Sequence, residues 1–198
     1  MKKQYFVIAE SKRQKIEKTV LAEFSAHFYY EASLNNIVKQ SGISKGGLFK
    51  YINSKEDLYL YLYQKYLNEL VSYQADNLNA KTTDFLERIK ELAHLSLLYY
   101  QQNEHVYNFI LNGLTDYSAV VYKRVIGLKN EVLKNYHNQL LKGINFKNYH
   151  YSKQQMLEIY EWISTGINAS IKNTNTIEDI LAKLDMLVEV LKFGVMRR

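Results

Sequence analysis

Cysteine and proline are both missing from this 198-residue chain, and glycine occurs only eight times. The first absence excludes disulfides, thiolate zinc sites and cysteine nucleophiles, and suits a reducing compartment. With no proline and so few glycines, long helices run uninterrupted, whereas a β-rich chain of this size needs more turn residues. Long apolar runs are missing too: none approaches the roughly 18–20 residues of a membrane span. The opening Met1-Lys2-Lys3-Gln4 leads into polar sequence rather than a signal-peptide core. A cytoplasmic, mostly helical protein without a membrane segment is expected. The histidines at 27, 94, 105, 137 and 150 form no HExxH pair, and neither a GxSxG elbow nor a glycine-rich phosphate loop is present. No catalytic residue, metal or cofactor is expected, and the chain does not read as an enzyme.

What is there is apolar and basic. Hydrophobic residues make up 47%, ample for a core. The net charge of +6 is unevenly divided: residues 1–55 hold ten Lys or Arg against four Glu, and residues 56–198 hold sixteen of each sign. A basic N-terminal third is the footprint of a phosphate-binding surface, because neutralised phosphates release counterions.

Within that third, Ser33 to Lys55 reads as two short helices joined by a turn. Leu34, Ile37 and Val38 form an apolar stripe, Ser33 is placed to cap it, and Gly42 tolerates the left-handed conformation that ends it. Ser44 then caps a second helix, Lys45 to about Ile52, whose outward positions are glycine, lysine and aromatic. This is the build of a helix-turn-helix, whose second helix enters the DNA major groove.

The run Gly42-Ile43-Ser44-Lys45-Gly46-Gly47-Leu48-Phe49-Lys50-Tyr51-Ile52-Asn53-Ser54-Lys55-Glu56-Asp57-Leu58 resembles the DNA-binding signature of the TetR/AcrR family of bacterial repressors. The resemblance covers the first third of the chain. It implies an all-α fold of about nine helices: a three-helix DNA-binding domain over 1–55 and a helical ligand-binding and dimerisation domain over 56–198. It also implies base contacts from Lys45, Gly46 and Phe49, with Asn35 reaching in from the preceding helix. Phosphate contacts fall to Ser33, Ser44, Gly47, Lys50, Tyr51 and Lys55. Two positions depart from the family: Phe28 stands where a glycine usually ends the first helix, and Phe49 stands where tyrosine is usual.

Elsewhere, Ser11 to Gln14 is a capping-box pattern that starts a helix with Ile16, Val20, Phe24 and Phe28 on one face. Ser54 caps a helix with Leu58, Leu62, Tyr66 and Leu70, and polar residues from Asn77 to Thr83 mark a boundary. Thr83 caps the next helix. A short one over about Glu104 to Asn112 is stopped by Gly113, and a long one runs from near Asp116 to Leu141. Ser152 and Gln155 open another as a capping box, and Thr176 caps the last, which is apolar around much of its circumference.

The resemblance further implies a homodimer built on the last two helices, for which Leu184 and Leu191 are the positions to test, and an effector cavity. Ser96, Tyr99, Tyr107, Phe109, Tyr122, Trp162 and Gly166 are its expected lining. The function so implied is a DNA-binding transcriptional regulator, a repressor released from double-stranded operator DNA by a small molecule. A helical protein-interaction module with only non-specific DNA affinity stays open beside it.

Overall fold

The computed structural model describes residues 1–117, 120–172 and 176–195. Among them are ten α-helices and one 3-10 turn: α1 Lys3–Phe6, α2 Glu10–Ala26, α3 Leu34–Ser41, α4 Lys45–Phe49, α5 Lys55–Asn77, α6 Phe85–Gln102, α7 Glu104–Thr115, α8 Tyr122–Leu140, α9 Lys153–Lys172 and α10 Ile177–Val195. The fold is all-α, and α1 is the helix that sequence periodicity missed. The chain forms two compact units, Met1–Val71 with Gln102–Asn135 and Ser72–Gln101 with Tyr136–Arg198. The helix-turn-helix lies in the first of these units, together with α7 and most of α8.

In the first unit, α2 packs against α3 and α7. Its buried face is Ile16, Val20 and Phe24. Each such side chain contributes about 1.5–3 kcal/mol by leaving water. Phe28 drops out of the expected stripe because α2 ends at Ala26, and it is 40% exposed. The helix starts at Glu10 after Ala9, with no side-chain cap, rather than on the Ser11 box. At its other end Asn112 Nδ2 donates to the carbonyls of Phe24 and Ser25, both at 3.1 Å, giving partners to terminal groups that helix geometry leaves open. Gly113 lies inside α7 instead of stopping it: a Cβ there would come within 2.4 Å of the Tyr63 ring, so glycine serves the approach of α5. The described part of the long helix begins at Tyr122 rather than near Asp116, and the stretch between includes 118–119, outside the described residues.

In the second unit, Phe85, Leu86, Ile89, Ala93, Tyr149, Met156, Ile163, Leu184 and Val188 form the core. The cap of α6 is Asp84, whose carboxylate accepts the Glu87 N–H at 2.9 Å, rather than Thr83. Ser152 and Gln155 form the reciprocal box, and Thr176 accepts the Asp179 N–H, as their spacing predicts. Arg88 is buried, with its guanidinium on the carbonyls of Leu140, Thr82 and Asn79 at 3.0, 3.0 and 3.2 Å and an ion pair to Glu91. Leu184 is 3% exposed and Leu191 packs against the core, so neither is the outward position of α10. The stripe that faces out is Met186, Val190 and Phe193.

Candidate nucleic-acid interface

Local chemistry builds the helix-turn-helix as its residues require. Ser33 adopts extended backbone and its hydroxyl accepts the Asn36 N–H at 3.4 Å, capping α3. Gly42 closes α3 with φ of 67°, a left-handed conformation that costs glycine nothing. Ser44 Oγ accepts the Gly47 N–H at 3.1 Å and starts α4. Ile37, Leu48 and Ile52 are buried beneath the pair and fix its position on the unit.

The outer face divides cleanly. Asn35, Ser44, Lys45, Gly46 and Lys50 are exposed, while Ser33, Gly47, Phe49, Tyr51 and Lys55 are half-buried. The two glycines of α4 have different reasons. A Cβ on Gly47 would sit 2.9 Å from Ile43 Cγ2 and 3.1 Å from Ser44 Oγ, so any side chain there forces these neighbours to shift. A Cβ on Gly46 would meet nothing within 4 Å, so the fold gives no reason for glycine at that exposed position.

Helix α4 is one turn shorter than expected, ending at Phe49, with Lys50 as its C-cap. Lys2 closes that end: its Nζ donates to the Phe49 carbonyl at 2.6 Å and its backbone N–H to the Tyr51 carbonyl at 2.9 Å. A cation on the last carbonyls opposes the negative end of the helix. Lys55 lies 4.5 Å above the Tyr29 ring and 3.5 Å from the Tyr30 carbonyl, and burial lowers the pKa of its ammonium, with Glu23 opposing that shift.

Glu23 is a residue the sequence reading passed over. Its buried carboxylate accepts the Ser33 N–H at 2.7 Å and the Asn36 amide at 3.3 Å, tying α2 to the first turn of α3. The available signal was an acidic residue beside Phe24 on the inward side of an apolar stripe.

The seven expected effector-lining residues are distributed over both units. In the first, Phe109 and Tyr107 are buried, and Phe109 meets the rings of Phe24, Tyr59, Tyr63 and Tyr66. Tyr122 is half-buried and packs edge-on to Tyr117. In the second, Ser96 accepts from Gln74 at 2.9 Å and Tyr99 packs on Tyr73. Trp162 and Gly166 lie on an open apolar groove of about 450 Å3 along α9 and α10, with Trp162 76% exposed.

Residues 19–62 match the family model described as bacterial regulatory proteins, tetR family. No curated protein matches the sequence. Among solved structures, a TetR family transcriptional regulator from Chloroflexus aurantiacus J-10-FL shares the fold with a TM-score of 0.75 at 18% identity, over 100% of this chain and 99% of the other. The fatty acid degradation regulator FadR from Bacillus halodurans gives 0.65 at 21% identity, over 93% and 96%. A TetR family regulator from Marinobacter aquaeolei VT8 gives 0.55 at 16% identity, over 96% and 97%. At these identities the likeness to solved structures is one of fold, while the motif carries its own match. The helix-turn-helix segment is thus similar to bacterial regulatory proteins of the tetR family, and the chain along its length shares the fold of solved transcriptional regulators of that kind.

Proposed function

We propose that the chain is a ligand-responsive DNA-binding repressor, with residues 1–55 reading the operator and residues 56–198 carrying dimerisation and effector binding. The observation that carries the reading is the outer face of α4: Lys45 and Gly46 are exposed, Lys45 has no ion-pair partner among the described residues, and the fold gives Gly46 no internal role. A lysine and a bare backbone at the N-terminal end of a short helix are what close approach to base edges requires. Phe49 adds an apolar surface for thymine methyls, and Asn35 reaches from α3. Ser33, Ser44, Gly47, Lys50, Tyr51 and Lys55 hold the phosphates.

A second copy docks on the outward stripe of α9 and α10, supported by the exposed Trp162, Met186, Val190 and Phe193. Met186, Val190 and Phe193 recur along one side of α10 and Trp162 is exposed on α9, more large apolar exposure than the scattered single residues normal for a monomer. The dimer presents two recognition helices to successive major grooves about 34–36 Å apart.

The effector is a small, largely apolar molecule with one hydrogen-bond acceptor. In support, the Tyr63 hydroxyl is buried with no hydrogen-bond partner among the described residues, amid the rings of Tyr59 and Phe109 and near Tyr122. Buried polar groups ordinarily have partners, so an orphan donor is a place for one. Tyr63 sits on α5, which starts at Lys55 directly after the helix-turn-helix; an effector that shifts α5 moves the reading head.

The test is a pair of substitutions. Lys45→Ala costs specific DNA binding about 1–3 kcal/mol and relaxes base preference, whereas Lys55→Ala weakens all sequences alike and lowers the salt slope by roughly 1. Equal losses on specific and mixed DNA for Lys45→Ala remove its base-reading role.

A further inference from the structure

Most lysines of the N-terminal third are free of carboxylates. Among the described residues of the first unit, Arg13 pairs with Glu10, Lys65 with Glu17 and Glu69, and Arg124 with Glu56, whereas Lys2, Lys12, Lys45 and Lys50 have no carboxylate partner. Two of these four lie outside the helix-turn-helix and yet converge on its far end. Lys2 reaches the carbonyls of Phe49 and Tyr51 from ahead of α1. Lys12, exposed on the first turns of α2, carries its ammonium 5.3 Å from the centre of the Tyr51 ring. Lys50 is exposed on the residue between.

The fold maintains this convergence. Tyr5 is fully buried, donates its hydroxyl to Glu17 at 2.6 Å and stacks edge-on with Tyr61, so α1 is anchored and Lys2 is held in place. Lys2 Nζ lies on the Phe49 carbonyl and Lys12 Nζ over the Tyr51 ring, and neither has a carboxylate partner among the described residues. Tyr51, touched by both residues, adds a phenol that donates to an oxyanion. An ammonium has three donors, and Lys2 uses one on Phe49.

We propose that Lys2 and Lys12 form a second phosphate grip around Tyr51, holding the operator backbone beside the C-terminal end of α4. The inference rests on the DNA-binding reading above and extends the contact surface from the helix-turn-helix to α2 and the segment before α1. The grip is sequence-blind: it sets the seating of α4 in the groove and leaves base choice to the N-terminal end of α4.

The experiment measures affinity against salt concentration for the full chain on two duplexes, one recovered by selection from a random pool and one of mixed sequence. Lys12→Gln keeps most of the stem and removes the charge; Lys12→Arg restores it; Lys18→Gln removes an exposed lysine from a different face of α2. The expected result is a fall of about 0.9 in the salt slope for Lys12→Gln on both duplexes, wild-type slope for the other two variants, and an unchanged ratio between duplexes. Adding Lys2→Gln lowers the slope by about as much again, and phosphate-ethylation interference loses a site in each half of the footprint for Lys12→Gln alone. A wild-type slope for Lys12→Gln, or the same loss for Lys18→Gln, overturns the grip while leaving the regulator reading standing. Failure of the wild-type protein to bind either duplex overturns both.

Discussion

The Glu23 carboxylate accepts the backbone N–H of Ser33 at 2.7 Å, across the gap between α2 and α3. This bond, with the Asn36 amide on the same oxygen, orients the first turn of the helix that leads into the turn and α4. Glu23→Ala leaves the part-buried Ser33 N–H without its partner and is expected to destabilise the protein by about 1 kcal/mol, whereas Glu23→Gln keeps an acceptor and costs less. Denaturant titration of both variants checks the order.

The two adjacent glycines of α4 respond in opposite ways to alanine. Gly46→Ala meets open space and gains helix propensity, so stability rises by up to about 1 kcal/mol while DNA affinity falls. Gly47→Ala drives a methyl into Ile43 and Ser44 and lowers the melting temperature. Melting curves and DNA titrations of the two variants separate a glycine kept for the partner from one kept for the fold.

Tyr63→Phe removes a buried hydroxyl that has no partner, so the free protein is expected to gain about 1 kcal/mol. The same change weakens any effector that uses the hydroxyl as donor. Effectors found by thermal shift are then titrated with and without operator. Because coupling is reciprocal, a 100-fold weakening of DNA by effector requires a 100-fold weakening of effector by DNA, roughly 2.7 kcal/mol. An effector whose affinity ignores the operator is bound without signalling.

On α10, charge placed outward and charge placed inward give different failures. Val190→Glu with Phe193→Glu acts on side chains 64% and 77% exposed, and is expected to yield a folded monomer with weak operator binding. Leu184→Glu buries a carboxylate in the core and unfolds the second unit. Light scattering with circular dichroism distinguishes them, and a wild-type monomer at micromolar concentration contradicts the docking stripe.

The features legible in the sequence were those decided within a few residues. Ser33, Ser44, Ser54, Ser152 and Thr176 cap the helices that follow them, because a cap depends on its own hydroxyl and the N–H groups just ahead. Features decided by tertiary approach were not legible. Gly113 reads as a stop signal and instead admits the Tyr63 ring, and Asp84 takes the cap that Thr83 is equally spaced to take. Periodicity shows that α10 has several apolar stripes without saying which turns inward. Among the site residues, the exposed end of α4 follows from motif spacing, while the closure of its other end by Lys2 joins residues 47 positions apart and has no local signature.

Sequence-specific recognition by α4 is open to direct test by selection from a random duplex pool. The protein is used without effector, and the recovered sequence is then titrated against mixed-sequence DNA at the same salt. The expected result is enrichment of a sequence with two-fold symmetry, bound at least about 10³-fold more tightly than mixed DNA. Recovery of no common sequence, with equal affinity for every duplex, would contradict it.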